Sequence, residues 1–293
     1  MTSAPEYNRI CKLKDARNFG YAVAGDPGGK PVFFLGGFPG SRFDGLAIDE
    51  PARQAGLKII SIDRPGFGLS DFLPKRTFGD IAGDIGQLAN ELKINKFAVM
   101  GISGGGPYAA ACAMSMPDNI TSTTLVSSIC PINTPKLLHG MKPFYRRLIK
   151  FSSYTTIGLR LAILRQMKLA KKDSLGYFLD ILKFNPPCDQ IAILNSRIHD
   201  LALSTANEAY RHGVAPVLHE ARLYMQDWGF DLGQVRSKVI IWHGAKDEMT
   251  PIAMGAYLSN RIPVAEVHFC EDEGHFLLLN RARQILKQVA ENF

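Results

Sequence analysis

The sequence has little cysteine, no long apolar run, no internal repeat and no large excess of one charge. Its five Cys (11, 112, 130, 188 and 270) are odd in number and nowhere spaced as C-x-x-C. That argues against a disulfide framework or a zinc site and for free thiols in a reducing compartment. No stretch reaches the roughly 18 uninterrupted apolar residues of a membrane span. Residues 1–20 carry charges in place of the apolar stretch of a signal peptide, so a cytoplasmic location is expected. Lys and Arg number 34 against 27 Asp and Glu, a formal charge of +7. Without a basic motif that surplus is too small to indicate a nucleic-acid partner. No His, Cys and Asp cluster has metal-ligand spacing. Gly-Asp-Pro-Gly-Gly-Lys-Pro at 25–31 has the wrong spacing for a phosphate loop, and Pro31 stands where Ser or Thr is needed. No metal and no cofactor are therefore expected. What remains is a chain of 293 residues, 46% hydrophobic and 21% charged. That is ordinary globular composition, sufficient for one large domain or two small ones.

Short apolar runs at 20–24, 31–35, 57–62, 96–100 and 122–127 are separated by Gly- and Pro-rich turns or by helical patterns. Several are nearly continuous in apolar character, as in strands buried on both faces of a parallel sheet. Between them, Phe78, Ile81, Ile85, Leu88 and Leu92 step by three and four, the stripe of one helix. Thr77 with Asp80 is a candidate N-cap pair for it. This alternation predicts an α/β sheet with right-handed crossovers. It stops after Ser128; residues 132–232 read as helices and loops, and strands return at 238–242 and 264–269, with helices around 254–258 and 284–293. The expected organisation is a core domain from 1–131 and 233–293, interrupted by a helical insertion at 132–232.

The strongest chemical signal is Gly101-Ile102-Ser103-Gly104-Gly105, placed between a strand and the helical stretch PYAAACAM. G-x-S-x-G in that context is a nucleophile elbow. The tight turn leaves no room for side chains at the flanking glycines, and the helix that follows aims its first amides at the reacting oxygen. Pro107 is tolerated there because first-turn N–H groups have no intrahelical acceptor.

A serine nucleophile needs a base, and the base needs an acid to orient it. Of seven His, His275 follows the last strand by a short loop. Parallel strands point their C-terminal ends one way, so that loop reaches the edge of the sheet where the elbow lies. Asp247, in Trp-His-Gly-Ala-Lys-Asp-Glu-Met-Thr-Pro at 242–251, is the candidate acid, with its neighbour Glu248 as an alternative. His243 ends a strand and reads as structural. The expected oxyanion donors are the N–H of Gly104 and that of Phe38 in Gly36-Gly37-Phe38-Pro39-Gly40, since Pro39 has none.

With these segments assembled, the chain from about 19 to 286 resembles an α/β-hydrolase-fold protein with a cap. GGFPGSR, DRPGFGLSD, GISGGGPYA, WHGAKDEMTP and EDEGHF occur in the family's order. The resemblance implies an eight-stranded, mostly parallel sheet with a lid inserted after the sixth strand. It also implies Ser103 as nucleophile, Asp247 as acid and His275 as base. Many members have His where Gly36 stands, so the support of the oxyanion loop should differ. Serine rather than Asp at the elbow argues against the epoxide hydrolase and dehalogenase branches. It favours a serine carboxylic-ester hydrolase acting on a small, largely apolar ester or acyl substrate. Lactone opening and C–C bond hydrolysis are the alternatives, as is a small-molecule receptor of the same fold. One further feature stands apart. Residues 131–172 carry ten Lys and Arg and no Asp or Glu, interleaved with Leu161, Ile163, Leu164, Met167 and Leu169. Such a basic amphipathic stretch is either a solvated face whose apolar side closes over the pocket, or a face that attracts an anionic substrate or surface.

Overall fold

The computed structural model describes residues 6–132, 135–152, 155–196 and 198–293. Its strands are β1 (Glu6–Lys12), β2 (Asn18–Gly25), β3 (Lys30–Leu35), β4 (Leu57–Ile62), β5 (Phe97–Ile102), β6 (Ile120–Val126), β7 (Val239–Gly244) and β8 (Ala265–Cys270). They form one eight-stranded sheet in the order β1-β2-β4-β3-β5-β6-β7-β8. β2 is antiparallel to both its neighbours and every other pairing is parallel. Seven strands coincide with the apolar runs of the sequence. β1 does not: of Glu6–Lys12 only Cys11 is buried, so no apolar run marks it, and its pairing with β2 makes it a strand.

Side chains alternate across the sheet, and both faces are covered. Val32 and Phe34 of β3 point to one face, where they join Ile48, α1 (Asp49–Gln54) and α11 (Leu277–Glu291). Phe33 and Leu35 point to the other, against α2 (Asp80–Glu91), α3 (Gly106–Ser115) and residues 254–262. All four are fully buried; truncating one such Phe to Ala typically costs about 3–5 kcal/mol. In α2 the stripe Phe78, Ile81, Ile85 and Leu88 is buried as its spacing predicts. The expected cap pair is half realised. The Asp80 carboxylate accepts from the Thr77 N–H at 2.6 Å and its hydroxyl at 2.9 Å, while Gly79 is the N-cap.

Between β6 and β7 lie α4 (Pro143–Ser152), α5 (Ile157–Lys172), α6 (Ser174–Lys183), α7 (Pro187–Ser196), α8 (His199–Ala209) and α9 (Val214–Tyr224). No strand occurs there among the described residues. Of these, α5, α8 and α9 share a buried apolar cluster of Leu159, Ile163, Ala170, Ala206, Tyr210, Val217 and Ala221 with Phe67. Phe67 belongs to the turn that follows β4, so the insertion is packed onto the sheet half through a sheet-half side chain. After β7 come α10 (Ile252–Arg261), β8 and α11. Among the described residues no helix is long and apolar enough to cross a membrane.

Candidate active site

β5 ends at Ile102 and α3 begins at Gly106, so three residues turn the chain from strand to helix. Ser103 takes φ +51° to do it, a left-handed conformation that costs a non-glycine residue about 1–2 kcal/mol. The glycines around it are sterically required. A β-carbon at Gly101 would lie 2.6 Å from the Gly105 carbonyl oxygen, and one at Gly105 would lie 2.1 Å from that of Leu35.

The loops after β7 and β8 bring Asp247 and His275 to Ser103. His275 Nδ1 is 2.8 Å from Asp247 Oδ2, and its Nε2 is 3.0 Å from Ser103 Oγ. A carboxylate can only accept, so Nδ1 carries the proton and Nε2 is left to accept from the Ser103 hydroxyl. Asp247 is itself held rigidly. Its Oδ1 accepts from the N–H groups of Met249 and Thr250 at 2.8 and 2.7 Å, and its Oδ2 lies 2.7 Å from the Thr250 hydroxyl. Burial opposes charge on both partners. For His275, the nearby Asp247 charge and hydrogen bond, with a smaller contribution from Asp189, outweigh burial and raise its pKa above the usual value. For Asp247, burial is outweighed by His275, so the carboxyl is held below its ordinary range. Glu248 points elsewhere, 44% exposed and paired with Lys142 at 3.5 Å. His243 is buried, and its Nε2 donates to the Thr250 carbonyl at 2.6 Å, fixing the far end of the Asp247 loop.

The loops that carry the two expected amide donors come together. A β-carbon at Gly104 would lie 2.8 Å from Phe38 Cβ, and one at Gly37 would lie 3.8 Å from Ser103 Cβ. The Phe38 N–H has no acceptor among the described residues. A β-carbon at Gly36 would lie 2.0 Å from Asp44 Oδ2, so the Asp44 carboxyl occupies the space of a side chain there. Burial, partly countered by Arg64, pushes the Asp44 pKa up to about 7. Arg64 grips the loop from beneath, donating to the Gly36 and Gly37 carbonyls at 2.7 Å each.

Several site residues carried no signal in the sequence. Glu220, on α9, is buried between two guanidinium groups, Arg64 Nε at 2.8 Å and Arg76 Nη2 at 2.5 Å. Burial would raise its pKa, but the two Arg charges hold it below its usual value. The Tyr224 hydroxyl lies 2.5 Å from Glu220 Oε1 and 2.9 Å from the Gly104 carbonyl oxygen. Asp189, on α7, accepts from the N–H groups of His275 and Phe276 at 2.9 and 2.8 Å. The inserted helices thus supply one buried carboxylate to the oxyanion-loop side and one to the His275 loop. These are contacts more than 80 residues apart in sequence, beyond any local pattern. Among the described residues no group of His, Cys, Asp and Glu could hold a metal ion, and the cysteines are unpaired.

Comparison with known proteins agrees with this architecture. Residues 30–167 match the family model described as alpha/beta hydrolase fold. The chain is 22% identical over 249 residues to a 2-hydroxy-6-oxononadienedioate/2-hydroxy-6-oxononatrienedioate hydrolase of Escherichia coli, covering 83% of this chain and 78% of that protein. It is 24% identical over 262 residues to the protein of the same name from Cupriavidus pinatubonensis, with the same coverage. Among solved structures it resembles an esterase from Exiguobacterium antarcticum (TM-score 0.67, 17% identity, 96% of this chain and 97% of that one). It also resembles the enol-lactonase from Burkholderia xenovorans (TM-score 0.66, 18% identity, 97% and 99%). The chain has the α/β-hydrolase fold.

Proposed function

We propose that the protein is a serine hydrolase that cleaves a carboxylic ester or related acyl bond of a small, largely apolar substrate. The observation that carries this reading is the unbroken hydrogen-bonded line from Asp247 through His275 to Ser103. In this mechanism Ser103 Oγ attacks the substrate carbonyl while His275 Nε2 takes its proton. The N–H groups of Phe38 and Gly104 receive the negative charge of the tetrahedral intermediate. His275 then protonates the leaving alcohol, and the acyl group stays on Ser103. Water, deprotonated by the same imidazole, releases the acid and restores the serine. Asp247 stabilises the transient imidazolium without taking its proton. The apolar preference rests on the half-buried Phe38 beside the turn that carries Ser103.

A second reading is hydrolysis of a C–C bond in a diketone-like acid, or opening of a lactone. It is favoured by the resemblance to hydrolases of 2-hydroxy-6-oxononadienedioate and to an enol-lactonase. The same three side chains serve either reaction, and the substrate decides between them. The test is a panel of esters, lactones and a vinylogous diketone, run on wild type and Ser103→Ala with fluorophosphonate labelling in parallel. The expected result is labelling at Ser103 only, with turnover of one substrate class lost by about 10³-fold or more in Ser103→Ala. Labelling elsewhere, or unchanged turnover in the variant, overturns the serine mechanism. Tight binding of a small molecule without turnover would favour a receptor.

A further inference from the structure

The charge of this chain is unevenly placed. Residues 131–172 hold ten of the 34 cations and no acid, while the rest holds 24 cations against 27 acids. Most of that cationic stretch lies on α4 and α5. Arg165 is bound by Asp180 at 2.6 and 2.9 Å, which also fixes α5 against α6, and Lys142 pairs with Glu248. Arg160, Lys168, Lys171 and Lys172 are exposed and have no ion pair among the described residues.

The same helices expose apolar side chains. On α5, Leu159, Ile163 and Ala170 face inward, whereas Ile157 and Leu161 are 67% and 61% exposed. At 100° per residue, Ile157, Leu161, Lys168 and Lys172 fall on one outward strip, with Arg160 and Lys171 along its edge. α6 repeats the pattern, with Leu175 and Leu179 exposed one turn apart and Lys183 exposed one turn further on. Phe144 of α4, also exposed, stacks on Phe184 just beyond α6. A solvated face would not carry two i,i+4 pairs of exposed Leu and Ile on adjacent helices.

We propose that the outward faces of α5 and α6, flanked by the cations of α4, form a docking surface for an anionic lipid bilayer. Basic side chains seek the headgroup phosphates and carboxylates while the Leu and Ile side chains sink to the acyl boundary. The charge selects this occupant. A second copy would bring two net-cationic faces together, with six Lys and Arg against two Asp over residues 157–183 of each, so the faces repel. Nucleic acid would satisfy the cations but leave the exposed Leu and Ile without an apolar partner. With no spanning helix among the described residues, the contact is peripheral. The inference does not depend on the proposed chemistry, because it can be measured on Ser103→Ala protein.

The experiment is co-sedimentation of the full chain with vesicles of phosphatidylcholine alone or mixed with phosphatidylserine, at low and high salt. Binding is expected to the mixed vesicles only, and to weaken as salt shortens the Debye length below about 8 Å. At roughly fivefold per cation near an anionic surface, Lys168→Gln with Lys172→Gln is expected to lower partitioning about 25-fold. Ile157→Ser with Leu161→Ser is expected to lower it by a similar factor at both salt concentrations. All four positions are on the surface, and unchanged thermal unfolding of the variants checks that the fold is intact. The proposal is overturned by absent binding to mixed vesicles at low salt, by equal binding to neutral vesicles, or by variants that bind like wild type. It is also overturned if light scattering shows a dimer disrupted by Leu161→Ser, or if a single-stranded RNA oligomer outcompetes the vesicles.

Discussion

The two halves of this molecule contribute to the candidate site in different ways. The sheet half supplies every reacting group proposed: Ser103 after β5, Asp247 after β7, His275 after β8 and the amides of the loop after β3. The inserted helices supply none of these, yet two of their carboxylates hold the backbone that carries them. Asp189 binds the N–H groups of His275 and Phe276, and Glu220 anchors the Arg64 that holds the Gly36 and Gly37 carbonyls. An insertion that only covered a pocket would be expected to affect substrate binding. One built this way should affect the chemical step.

The largest effect beyond Ser103 itself is expected in the sheet half. Asp247→Asn keeps the geometry but presents an N–H toward Nδ1, which favours the wrong His275 tautomer. Activity should fall by about 10²-fold or more. Glu248→Gln, on a side chain that faces Lys142, should keep most activity. Reversed effects measured by kcat/KM would transfer the acid role to Glu248 and break the sheet-half account.

The same division explains what was legible beforehand. Sheet-half chemistry follows local rules: strand ends, glycine turns and chain order placed Ser103, Asp247 and His275 without reference to distant residues. β1 escaped because its side chains face solvent and only its hydrogen bonds to β2 define it. The split of α5 into an inner stripe and an outer apolar pair could not be read either, because its Leu and Ile residues look alike until α8 and α9 show which side is covered. Asp189 and Glu220 sit in helices with no motif, and a lone acid in a helix is ordinarily solvated. Only the packing of the insertion onto the sheet half turns them into buried partners.

Glu220→Gln tests whether that packing matters. It leaves Arg64 and Arg76 buried with no full counter-charge, which typically costs about 3–5 kcal/mol. Urea unfolding should show the loss. If Arg64 then releases the oxyanion loop, kcat should fall by about 10- to 100-fold with KM little changed, since misplacement near 1 Å can cost about 10²-fold. A change confined to KM would reduce Glu220 to a covering role.

Asp189→Asn is expected to act more mildly and to leave a pH signature. The two backbone N–H groups bond different carboxylate oxygens, so the amide turns its NH2 toward one of them, at a cost of about 1–3 kcal/mol. The Asp189 charge also helps Asp247 raise the His275 pKa above 6.5. In wild type, kcat/KM should therefore fall as pH drops through that raised value, because the base becomes protonated. Removing one charge that raises it should move this acid limb to lower pH. An unmoved limb alongside reduced stability would mean that Asp189 holds the loop without influencing the imidazole.

The smallest expected effect returns to the sheet half, at Asp44 behind Gly36. Its Oδ2 is buried without a hydrogen-bond partner among the described residues. Burial moves its pKa from an ordinary 3.8 up to about 7. Between those values the folded protein binds more protons here than the unfolded chain, so this group's contribution to stability falls as pH rises from about 4 to about 7 and is level above about 8. Three pKa units set a ceiling of about 4 kcal/mol, and relaxation around the ionised group should leave about 1–3 kcal/mol. Asp44→Asn cannot ionise, so its unfolding midpoint in urea should change less across that window, and the variant should gain on wild type at pH 8 relative to pH 5. Because Arg64 holds the Gly36 and Gly37 carbonyls independently, kcat should stay within about threefold of wild type, well short of the loss that misplaced catalytic geometry produces. A large loss of kcat in Asp44→Asn would instead mean that the oxyanion loop depends on this carboxyl, and that Glu220 acts on the site by some route other than Arg64.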